Sequence, residues 1–496
     1  MLLSKSDYLD FLRHPALLWL KKHDPKKIPP LDAATENRMA SGYDFDEYAE
    51  RLFPEAIKIG FTSLKEYRTM LKRTALAWDS GAKCVAQGMY KSGELTCITD
   101  VLEATSDGFT LTEIKSSNSA KPEHVKDLAF QRIVLEANGY DIQKCQVIHA
   151  NPDYERAGDI DPKILTKITD VTDQVEKILS ITKENAASAV RVMNLDSIPD
   201  VDPVLAASSS FADWLQIRKI LEPKLSDNSI YNLPKIGHRV AKNLIAQNIE
   251  TIDQIQDATL LSHGTAKFWK ARSFGKQHID VAELNQFIEA IQYPVHYLDY
   301  ETAASAVPLW DDMSPHQQVP FQYSLHIKRN ARSAVEHFEY LHQDADCPIR
   351  DLLENLSQQI NSQGTVLVWN QSFEKKRNEE MARYSPEHAN FLTSINERVV
   401  DLMNPFREDV IIDPAFLGSN SIKDVLPVLV PEFSYKDLEI KDGGSAASEW
   451  QRATLNDAAD KAKVYTDLKK YCERDTEAML LIHDKLIEIA QNETHN

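Results

Sequence analysis

The sequence predicts an α/β protein with several domains, on three observations. The chain has 496 residues, which is enough for about two to four domains of ordinary size. Short segments rich in β-branched and apolar residues, typical of strands, are followed by segments with helical periodicity. Hydrophobic residues make up 43% of the chain and charged residues 26%, a composition that supports real cores in a globular protein.

Two strands are predicted in the first third of the chain, at Leu95 to Val101 and at Thr110 to Ile114, joined by a turn. Glu113 and Lys115 lie two residues apart, so their side chains share one face of the second strand. Asp100 on the neighbouring strand can meet them there.

The spacing Asp-(12 residues)-Glu-x-Lys in this hairpin resembles the core of the PD-(D/E)XK nucleases, which have a restriction-endonuclease-like fold. The resemblance implies that Asp100 and Glu113 hold a metal ion. It also implies that Lys115 stabilises the attacking hydroxide or the charge that develops on the phosphate. The alternative for these three residues alone is a surface hairpin with an ordinary salt bridge.

A helix is predicted after this motif, ending at Gly139, and a further strand at Gln146 to Ala150. His124, Asp127 and Gln131 follow an i, i+3, i+7 spacing and lie on one face of the helix. This arrangement resembles the RecB-like branch of the PD-(D/E)XK nucleases, whose helix supplies a glutamine near the DNA. By that resemblance Gln131 belongs to the active site, and His124 and Asp127 are either supporting or purely structural residues.

The N-terminal stretch is similar to the L-S-x-S and C-P opening of the same branch. In several relatives the cysteine of this opening ligates an iron–sulfur cluster, and here His14 replaces it. The five cysteines are widely scattered, and no spacing among them suits a zinc or iron–sulfur site. We therefore expect no iron–sulfur cluster. Relatives often add an upstream metal ligand, for which Glu47 and Glu50 are both candidates.

A helix-hairpin-helix-like element is predicted in the middle of the chain, where a Leu-Pro-Lys-Ile-Gly turn precedes a helix. A helix N-terminus beside a glycine turn favours an anion, because its N–H groups and dipole attract negative charge. The candidate nucleic-acid-binding residues are Lys235, Gly237, Arg239 and Lys242, beside His238. The alternative is a helical spacer with a Pro-Gly turn.

The last third of the chain contains widely separated carboxylates that strands and helices can bring together. Asp299 and Glu301 alternate along a predicted apolar strand and project from one face. Glu374 follows a second predicted strand, and Tyr471 and Asp475 are four apart on a predicted helix. Such carboxylates repel one another unless a hard cation lies between them, and Mg2+ or Mn2+ prefers oxygen ligands.

This ordered set resembles the DEDD 3'-5' exonucleases of the ribonuclease H-like fold, in the subgroup with a tyrosine in the last motif. The resemblance covers about residues 291 to 490 and implies two metal ions held by Asp299, Glu301, Glu374 and Asp475. It implies that Tyr471 positions the attacking water. The second motif usually ends in aspartate, so ligation by Glu374 could be retained, water-mediated or lost.

These motifs predict three domains: a RecB-like PD-(D/E)XK nuclease domain at 1–155, a helical linker region at 156–290, and a DEDD-type exonuclease domain at 291–496. The Pro-, Ser- and Ala-rich stretch at 198–210 is the best linker candidate. The whole arrangement looks like bacterial proteins that join a RecB-like nuclease to a DEDD-type exonuclease.

The net charge of -19 argues against a strong polyanion-binding surface, so we expect weak, salt-sensitive binding at the active-site channels. The sequence has no run of about 18 apolar residues and no signal peptide, which favours a cytoplasmic protein without a membrane partner. The scattered cysteines fit a reducing compartment. A Walker motif is missing, so a helicase or other repair or defence partner would be another chain.

The sequence therefore predicts a metal-dependent nuclease with two active sites, acting on DNA in preference to RNA. The alternative is a nucleic-acid-binding protein in which one or both sites are inactive. A small-nucleotide phosphodiesterase is a third reading. The nuclease and the phosphodiesterase both require the phosphate chemistry that divalent cations support at clustered carboxylates, whereas a binding protein should hold nucleic acid equally well in EDTA.

Overall fold

The computed structural model describes residues 1–30, 33–224, 226–275, 277–456 and 458–494. The fold is mixed α/β with several sheets and many helices, as the sequence predicts at this level. Contacts group the chain into two compact units: unit 1 comprises Met1–Ser226, Gly237–Lys242 and Ser305–His316, and unit 2 comprises Asp227–Ile236, Asn243–Ala304 and Gln317–Asn496. A compact unit can hold more than one domain, so the boundaries near residues 155 and 290 stay predictions.

Unit 1 contains nine strands and nine helices among its described residues. The strands are β1 (Leu3–Ser4), β2 (Ile57–Lys58), β3 (Cys84–Ala86), β4 (Met89–Ser92), β5 (Leu95–Ile98), β6 (Val101–Thr105), β7 (Gly108–Lys115), β8 (Ile142–Ala150) and β9 (Thr166–Asp170). The helices are α1 (Lys5–Arg13), α2 (Pro15–His23), α3 (Ala33–Glu50), α4 (Leu64–Tyr67), α5 (Met70–Asp79), α6 (Pro122–Glu136), α7 (Pro162–Leu165), α8 (Thr172–Met193) and α9 (Phe211–Leu221). The next helix, α10 (His238–Ala246), has residues in both units.

Two sheets organise unit 1. A six-stranded sheet has the order β2-β3-β6-β7-β8-β9, with β6 antiparallel and β8 parallel to β7. A three-stranded sheet has the order β1-β5-β4. The main core contains fully buried apolar residues of α6 and α8, among them Leu128, Phe130, Val134 and Ala189. This packing fixes α6 beside the strand that carries Glu113.

The prediction of one strand from Leu95 to Val101 is wrong in one respect. The strand is interrupted at Thr99 and Asp100, so that β5 ends before these two residues and β6 begins after them. The residues before the break belong to the three-stranded sheet, and those after it belong to the six-stranded sheet. Asp100 stabilises this corner, since its Oδ2 accepts a hydrogen bond from the backbone N–H of Ile114 at 2.7 Å. The interruption therefore places the Asp100 carboxylate directly before the first residue of β6, opposite β7.

The segment at 198–210, predicted as a linker, lies within unit 1 and is hydrogen-bonded to its helices. The backbone N–H of Ala207 donates to the carbonyl of Arg13 at 2.8 Å. The Trp214 indole donates to the carbonyl of Val201 at 3.0 Å. The ring of His14 stacks on Trp214 at 3.6 Å, and its Nδ1 accepts the N–H of Ala16 at the start of α2. His14 thus acts as a helix cap and a packing residue.

Unit 2 contains seven strands and nine further helices among its described residues. The strands are β10 (His278–Ile279), β11 (Val295–Ala303), β12 (Val319–Lys328), β13 (Val335–Leu341), β14 (Thr365–Val368), β15 (Val399–Asp401) and β16 (Ile411–Ile412). The helices are α11 (His263–Phe274), α12 (Val281–Glu289), α13 (Ile349–Ser357), α14 (Gln371–Tyr384), α15 (Ala389–Arg398), α16 (Asn404–Arg407), α17 (Ile422–Leu429), α18 (Gly443–Thr454) and α19 (Lys461–Thr494).

A five-stranded sheet with the order β13-β12-β11-β14-β15 organises unit 2. The strand predicted to carry Asp299 and Glu301 and the strand predicted to precede Glu374 are confirmed as β11 and β14, two of its five members. The central strand β11 is antiparallel to β12 and parallel to β14, and a bulge follows Glu301. The 34-residue helix α19 packs on β11 and β12 through buried residues such as Leu468 and Met479. Over the described ranges, no helix has the length and apolar character needed to cross a membrane.

Candidate functional site

The structure brings Asp100, Glu113, Lys115 and Gln131 together in unit 1. Glu113 is completely buried and accepts hydrogen bonds at both oxygens. Its Oε1 lies 2.6 Å from the Lys115 ammonium and 2.7 Å from that of Lys5, and its Oε2 accepts a bond from the Gln131 amide at 2.6 Å. Glu113 is therefore the centre of a buried charged network to which strand β7, helix α6 and helix α1 all contribute.

Two other residues on the same face of α6 have different environments. Asp127 lies 3.4 Å from the Lys115 ammonium, and its Oδ1 is buried without a hydrogen-bond partner. The ring of His124 instead accepts the backbone N–H of Lys121 at 3.1 Å, which caps the first turn of α6. Asp127 thus belongs to the charged network, and His124 stabilises the helix that carries it.

Burial and like charge set the pKa values in this network. Burial raises the pKa of Asp100 to about 6 and that of Asp127 to about 7, and the negative charge of Glu113 adds to both shifts. Burial also opposes ionisation of Glu113, but the charges of Lys5 and Lys115 outweigh it and keep the Glu113 pKa well below its usual range. The ionised carboxylate at the centre of the network is therefore Glu113.

Sequence reasoning missed Asp46 and Lys5. Asp46 lies on α3, and burial together with the charge of Asp100 raises its pKa to about 7. Of the two upstream ligands proposed, Glu47 is exposed and pairs with Arg51, whereas Glu50 contributes charge to the Asp46 site. Residues 46 and 50 share a helix face because they are four apart, so the spacing could have indicated Asp46 once Glu50 was considered. Lys5 stands in the L-S-x-S opening, and nothing in that motif points to Glu113.

We name Asp46, Asp100, Glu113 and Asp127 the N-terminal cluster. Four carboxylates beside two lysine ammonium groups leave an excess of two negative charges when all are ionised. Oxygen donors with that excess charge fit one hard divalent cation such as Mg2+ or Mn2+. The unpartnered Oδ1 of Asp127 agrees with this donor set.

A second group of carboxylates lies in unit 2, and we name it the C-terminal cluster: Asp299, Glu301, Glu374 and Asp475. Asp299 and Glu301 project from β11, Glu374 lies in the first turn of α14, and Asp475 lies on α19. Three of the four are almost fully buried, with 6% of Glu301, 2% of Glu374 and 8% of Asp475 exposed. Donor atoms of Asp299 and Glu301 lie within 4.8 Å of each other and of the Cys472 sulfur.

Burial is the largest influence on the pKa values of the C-terminal cluster, and repulsion between carboxylates adds to it at Asp299 and Glu301. Burial, followed by the charges of the other three carboxylates, raises the pKa of Asp299 well above its ordinary value. Burial raises the pKa of Glu374 to about 8 and that of Asp475 to about 6. The Glu374 Oε2 is buried without a hydrogen-bond partner. An all-oxygen set with this uncompensated charge fits Mg2+ or Mn2+.

Two tyrosines and a lysine surround Asp475. The Tyr435 hydroxyl donates to Asp475 Oδ1 at 2.6 Å. The Lys423 ammonium donates to the Tyr471 hydroxyl oxygen at 3.2 Å and to the carbonyl of Lys441. It also lies 5.2 Å from the centre of the Tyr471 ring, a cation–π distance. The hydroxyl of Tyr471 is thus oriented by a fixed positive charge beside the carboxylates.

Glu374 is positioned by the residues around the start of α14. Asn370 precedes the helix with a φ of 105°, a conformation that asparagine adopts more readily than most residues. Asp401 accepts the N–H groups of Asn370 and Gln371 at 3.2 and 3.3 Å, and Arg407 contacts it at 3.1 Å. The Asp401 side chain therefore positions the start of α14.

The segment at 418–423 contributes Lys423 to the site. A Cβ at Gly418, which has a φ of 66°, would lie 2.4 Å from the carbonyl oxygen of Gly264, so only glycine fits this approach. Ser421 occupies the N-cap position of α17, but its side chain makes no cap hydrogen bond. The sequence did not predict Lys423 or Tyr435 as site residues, because no local spacing connects either residue to Asp475.

The residues predicted to bind nucleic acid through the helix-hairpin-helix-like element are all exposed. Lys235 belongs to unit 2 and has a φ of 58°, whereas Gly237, Arg239 and Lys242 belong to unit 1. The neighbouring His238 contacts Ser208 at 2.9 Å and the carbonyl of Val204 at 3.1 Å, so its ring anchors the start of α10. Binding of nucleic acid by the four exposed residues stays a prediction.

The C-terminal cluster gives a testable dependence of stability on pH in the absence of metal. The pKa of Glu374 is raised to about 8 in the folded state, whereas a glutamate in the unfolded chain has a pKa of about 4. Between these two pH values the folded protein keeps a proton on Glu374 that the unfolded chain releases. Its contribution therefore favours folding at low pH and is lost as the pH rises through 8. We expect the free energy of unfolding in EDTA to fall by about 1 kcal/mol more for the wild type than for Glu374→Gln between pH 7 and 8. Urea unfolding at both pH values measures this difference, and parallel curves for the two proteins would contradict it.

Comparison with known proteins bears on the C-terminal cluster. Residues 296–421 match a family model described as "Domain of unknown function (DUF2779)". The match contains Asp299, Glu301 and Glu374 and ends before Tyr471 and Asp475. Three of the four carboxylates of the C-terminal cluster thus lie within the part of the chain that matches the family model.

Three curated relatives share about two-fifths of the chain. "Uncharacterized protein MG366 homolog" from Mycoplasma pneumoniae is 31% identical over 205 residues, which are 38% of this chain and 31% of that protein. "Uncharacterized protein MG366" from Mycoplasma genitalium is 27% identical over the same shares. "Uncharacterized protein UU173" from Ureaplasma parvum is 27% identical over 39% of this chain and 32% of that protein. The chain therefore spans about a third of the length of these relatives.

Proposed function

We propose that this chain is a metal-dependent nuclease with two separate active sites, one at each carboxylate cluster. The observation that carries the proposal is the C-terminal cluster, where four carboxylates with pKa values raised by burial lie beside a tyrosine oriented by Lys423. Buried carboxylates without compensating cations are costly, and divalent metals remove that cost. The order of the residues and the likeness to DEDD 3'-5' exonucleases support a 3'-5' exonuclease here.

At the C-terminal cluster, Asp299, Glu301, Glu374 and Asp475 would hold Mg2+ or Mn2+. Bound metal would neutralise the charge that develops on the phosphate during hydrolysis. The chain's own residues would do the rest. Tyr471 presents a hydroxyl that orients the attacking water, and Lys423 and Tyr435 fix the positions of Tyr471 and Asp475. The contacts of Asp401 with the start of α14 would set where the Glu374 side chain, one methylene longer than aspartate, reaches the metal.

At the N-terminal cluster, Asp100 and Glu113 would hold the metal, as supported by the likeness to RecB-like PD-(D/E)XK nucleases. Asp46, whose pKa is raised by burial and by the charge of Asp100, would be the upstream ligand in place of Glu47 or Glu50. Lys115 would stabilise negative charge on the phosphate, and Gln131 orients Glu113. DNA is the preferred substrate, because this likeness and the helix-hairpin-helix-like element both favour it. RNA is the alternative polymer for the C-terminal site.

A second candidate function is nucleic-acid binding without cleavage at the N-terminal cluster. The observation that favours it is the engagement of both Glu113 oxygens by Lys5, Lys115 and Gln131. A metal has to compete with these contacts for the same carboxylate. In that case the two lysines would contact phosphate, and binding would persist in EDTA.

The test is a time course with single-stranded DNA and RNA labelled at the 5' end, in Mn2+ and in EDTA. The proposal expects a metal-dependent ladder of shortened products, with the faster polymer giving the substrate class. Binding of both polymers without cleavage in Mn2+ would reject the nuclease and favour the second candidate. A smear of internal fragments that appears first would place the dominant activity at an endonucleolytic site.

Lys423 gives a prediction about the C-terminal cluster alone. We expect Lys423→Met to slow metal-dependent trimming by about tenfold or more, because Tyr471 loses the ammonium that orients its hydroxyl. The measurement is the single-turnover rate in Mn2+. Lys436→Met is the matched control, since Lys436 is an exposed lysine in the same unit. Equal rates for the two variants would remove Lys423 from the mechanism.

A further inference from the structure

A group of two histidines and a glutamate in unit 2 lies outside both carboxylate clusters. His326 is on β12, His337 is on β13, and Glu473 is on α19. One donor atom from each lies within 4.8 Å of the others. The His337 Nδ1 and the Glu473 Oε1 are 3.6 Å apart, and the two imidazole rings stack with centres 4.4 Å apart. We call this group the histidine cluster.

One nitrogen of each imidazole ring is hydrogen-bonded to a hydroxyl group. The His326 Nδ1 lies 2.8 Å from the Thr476 hydroxyl, and the His337 Nε2 lies 3.0 Å from the Ser324 hydroxyl. These two hydroxyl groups are themselves 2.7 Å apart. Partners of this kind fix the tautomer and orientation of histidines that bind metal through the opposite nitrogen.

The hydrogens of this network can be assigned by counting donors. The Thr476 hydroxyl donates its one hydrogen to the carbonyl of Glu473 at 3.1 Å. Thr476 must then accept from both the Ser324 hydroxyl and the His326 Nδ1–H. Because Ser324 has donated its hydrogen, its oxygen accepts the His337 Nε2–H. This assignment leaves lone pairs on the His326 Nε2 and the His337 Nδ1, and the latter faces the Glu473 carboxylate.

We propose that the histidine cluster binds a borderline transition-metal ion, of which Zn2+ is the type, through His326, His337 and Glu473. Two neutral imidazoles and one carboxylate form a familiar three-ligand zinc set, with water as the fourth ligand. Tetrahedral zinc places its ligand atoms about 3.3 Å apart, close to the 3.6 Å between His337 and Glu473. Imidazole ligands disfavour Mg2+, so this site would select a different ion from the carboxylate clusters.

The solvent exposure of the ligands and the elements that carry them agree with an ion that binds reversibly and stabilises the fold. The His337 side chain is 25% exposed and that of Glu473 is 44% exposed, so an ion can enter from solvent. His326 is almost fully buried, and burial lowers its pKa to about 4, which keeps the ring neutral near pH 7. A bound ion would connect two adjacent strands to α19. The proposal does not depend on nuclease activity.

The experiment uses the full chain, stripped with EDTA and titrated with Co2+ as a spectroscopic probe and then with Zn2+. Four-coordinate Co2+ with nitrogen and oxygen ligands absorbs visible light strongly, whereas Co2+ in an octahedral oxygen site absorbs weakly. We expect one equivalent of strongly absorbing Co2+, displaced by Zn2+ and retained in millimolar Mg2+. The signal should persist in Asp299→Asn, which alters the C-terminal cluster.

Glu473→Gln and His337→Gln should each weaken Co2+ binding by more than about tenfold, since even outer partners of metal ligands contribute that much. His388→Gln is the matched control, because His388 is a half-buried histidine of the same unit that lies outside the cluster. The rival account is a protonated His337 paired with Glu473 and no metal. Absence of the strong absorption in wild type, or its retention in both cluster variants, would overturn the proposal.

Discussion

Replacement of Asp299 by asparagine should lower trimming of 5'-labelled single strands by at least about 1,000-fold. Asp299 projects from the central strand into the C-terminal cluster, where burial and the charges of Asp475, Glu301 and Glu374 raise its pKa. An amide in its place keeps the size but removes a metal-binding charge. The loss of a group that stabilises developing charge costs several kcal/mol, and each 1.4 kcal/mol is about tenfold in rate. Gel analysis of product ladders in Mn2+ measures this loss.

The matched control for this variant is Asp344→Asn, an exposed aspartate of the same unit. Any cleavage that arises at the N-terminal cluster should survive in Asp299→Asn. Trimming at the wild-type rate in Asp299→Asn would exclude the C-terminal cluster as the exonuclease site. Loss of every activity together with a lowered Tm would instead indicate a folding defect.

The second large effect concerns Lys115. We expect Lys115→Ala to lower the rate of the cleavage that does not depend on Asp299 by about 100-fold or more. The same substitution should leave the rate of 3'-5' trimming unchanged. Lys115 lies 2.6 Å from the buried Glu113, so its removal takes away both the charge that would stabilise the phosphate and one partner of Glu113. Cleavage of circular single-stranded DNA, which offers no free end, isolates this activity from trimming.

Lys144→Ala is the matched control for Lys115→Ala, because Lys144 is a partly exposed lysine on the neighbouring strand β8. Glu113→Gln should give the same loss through the carboxylate. If both Lys115→Ala and Glu113→Gln cut circular DNA at the wild-type rate, the N-terminal cluster has no catalytic role. If they bind but do not cut, and the wild type behaves likewise, the binding function is favoured.

Alternation and helical spacing predicted the parts of each cluster that lie close together in sequence. Glu113 and Lys115 share a strand face as the two-residue period requires, and so do Asp299 and Glu301. Gln131 and Asp127 lie on the face of α6 turned towards Glu113, as their spacing indicates. Local periodicity determines the direction of these side chains. Once one face of a strand or helix packs against the core, the direction of the remaining side chains is fixed as well.

Residues contributed by distant elements could not be predicted in this way. Lys5 reaches Glu113 across 108 positions of sequence, and Lys423 reaches Tyr471 across 48. Their places depend on how α1 and α17 pack on the sheets, which no short motif records. The break at Asp100 was missed for a related reason, since the chain changes sheets there and the apolar pattern continues through the change. Tertiary contacts decide such positions.

Helix α19 has one further consequence. It carries Asp475 of the C-terminal cluster and, within one turn, Glu473 of the histidine cluster and Thr476 beneath it. Ions bound at the two places would both be held by this turn of α19, so a shift of the turn on binding one ion would change the affinity for the other. Thermodynamic linkage makes that change reciprocal: if Zn2+ strengthens Mn2+ binding fivefold, Mn2+ must strengthen Zn2+ binding by the same factor of about five. Titration of either ion thus reports the occupancy of the other.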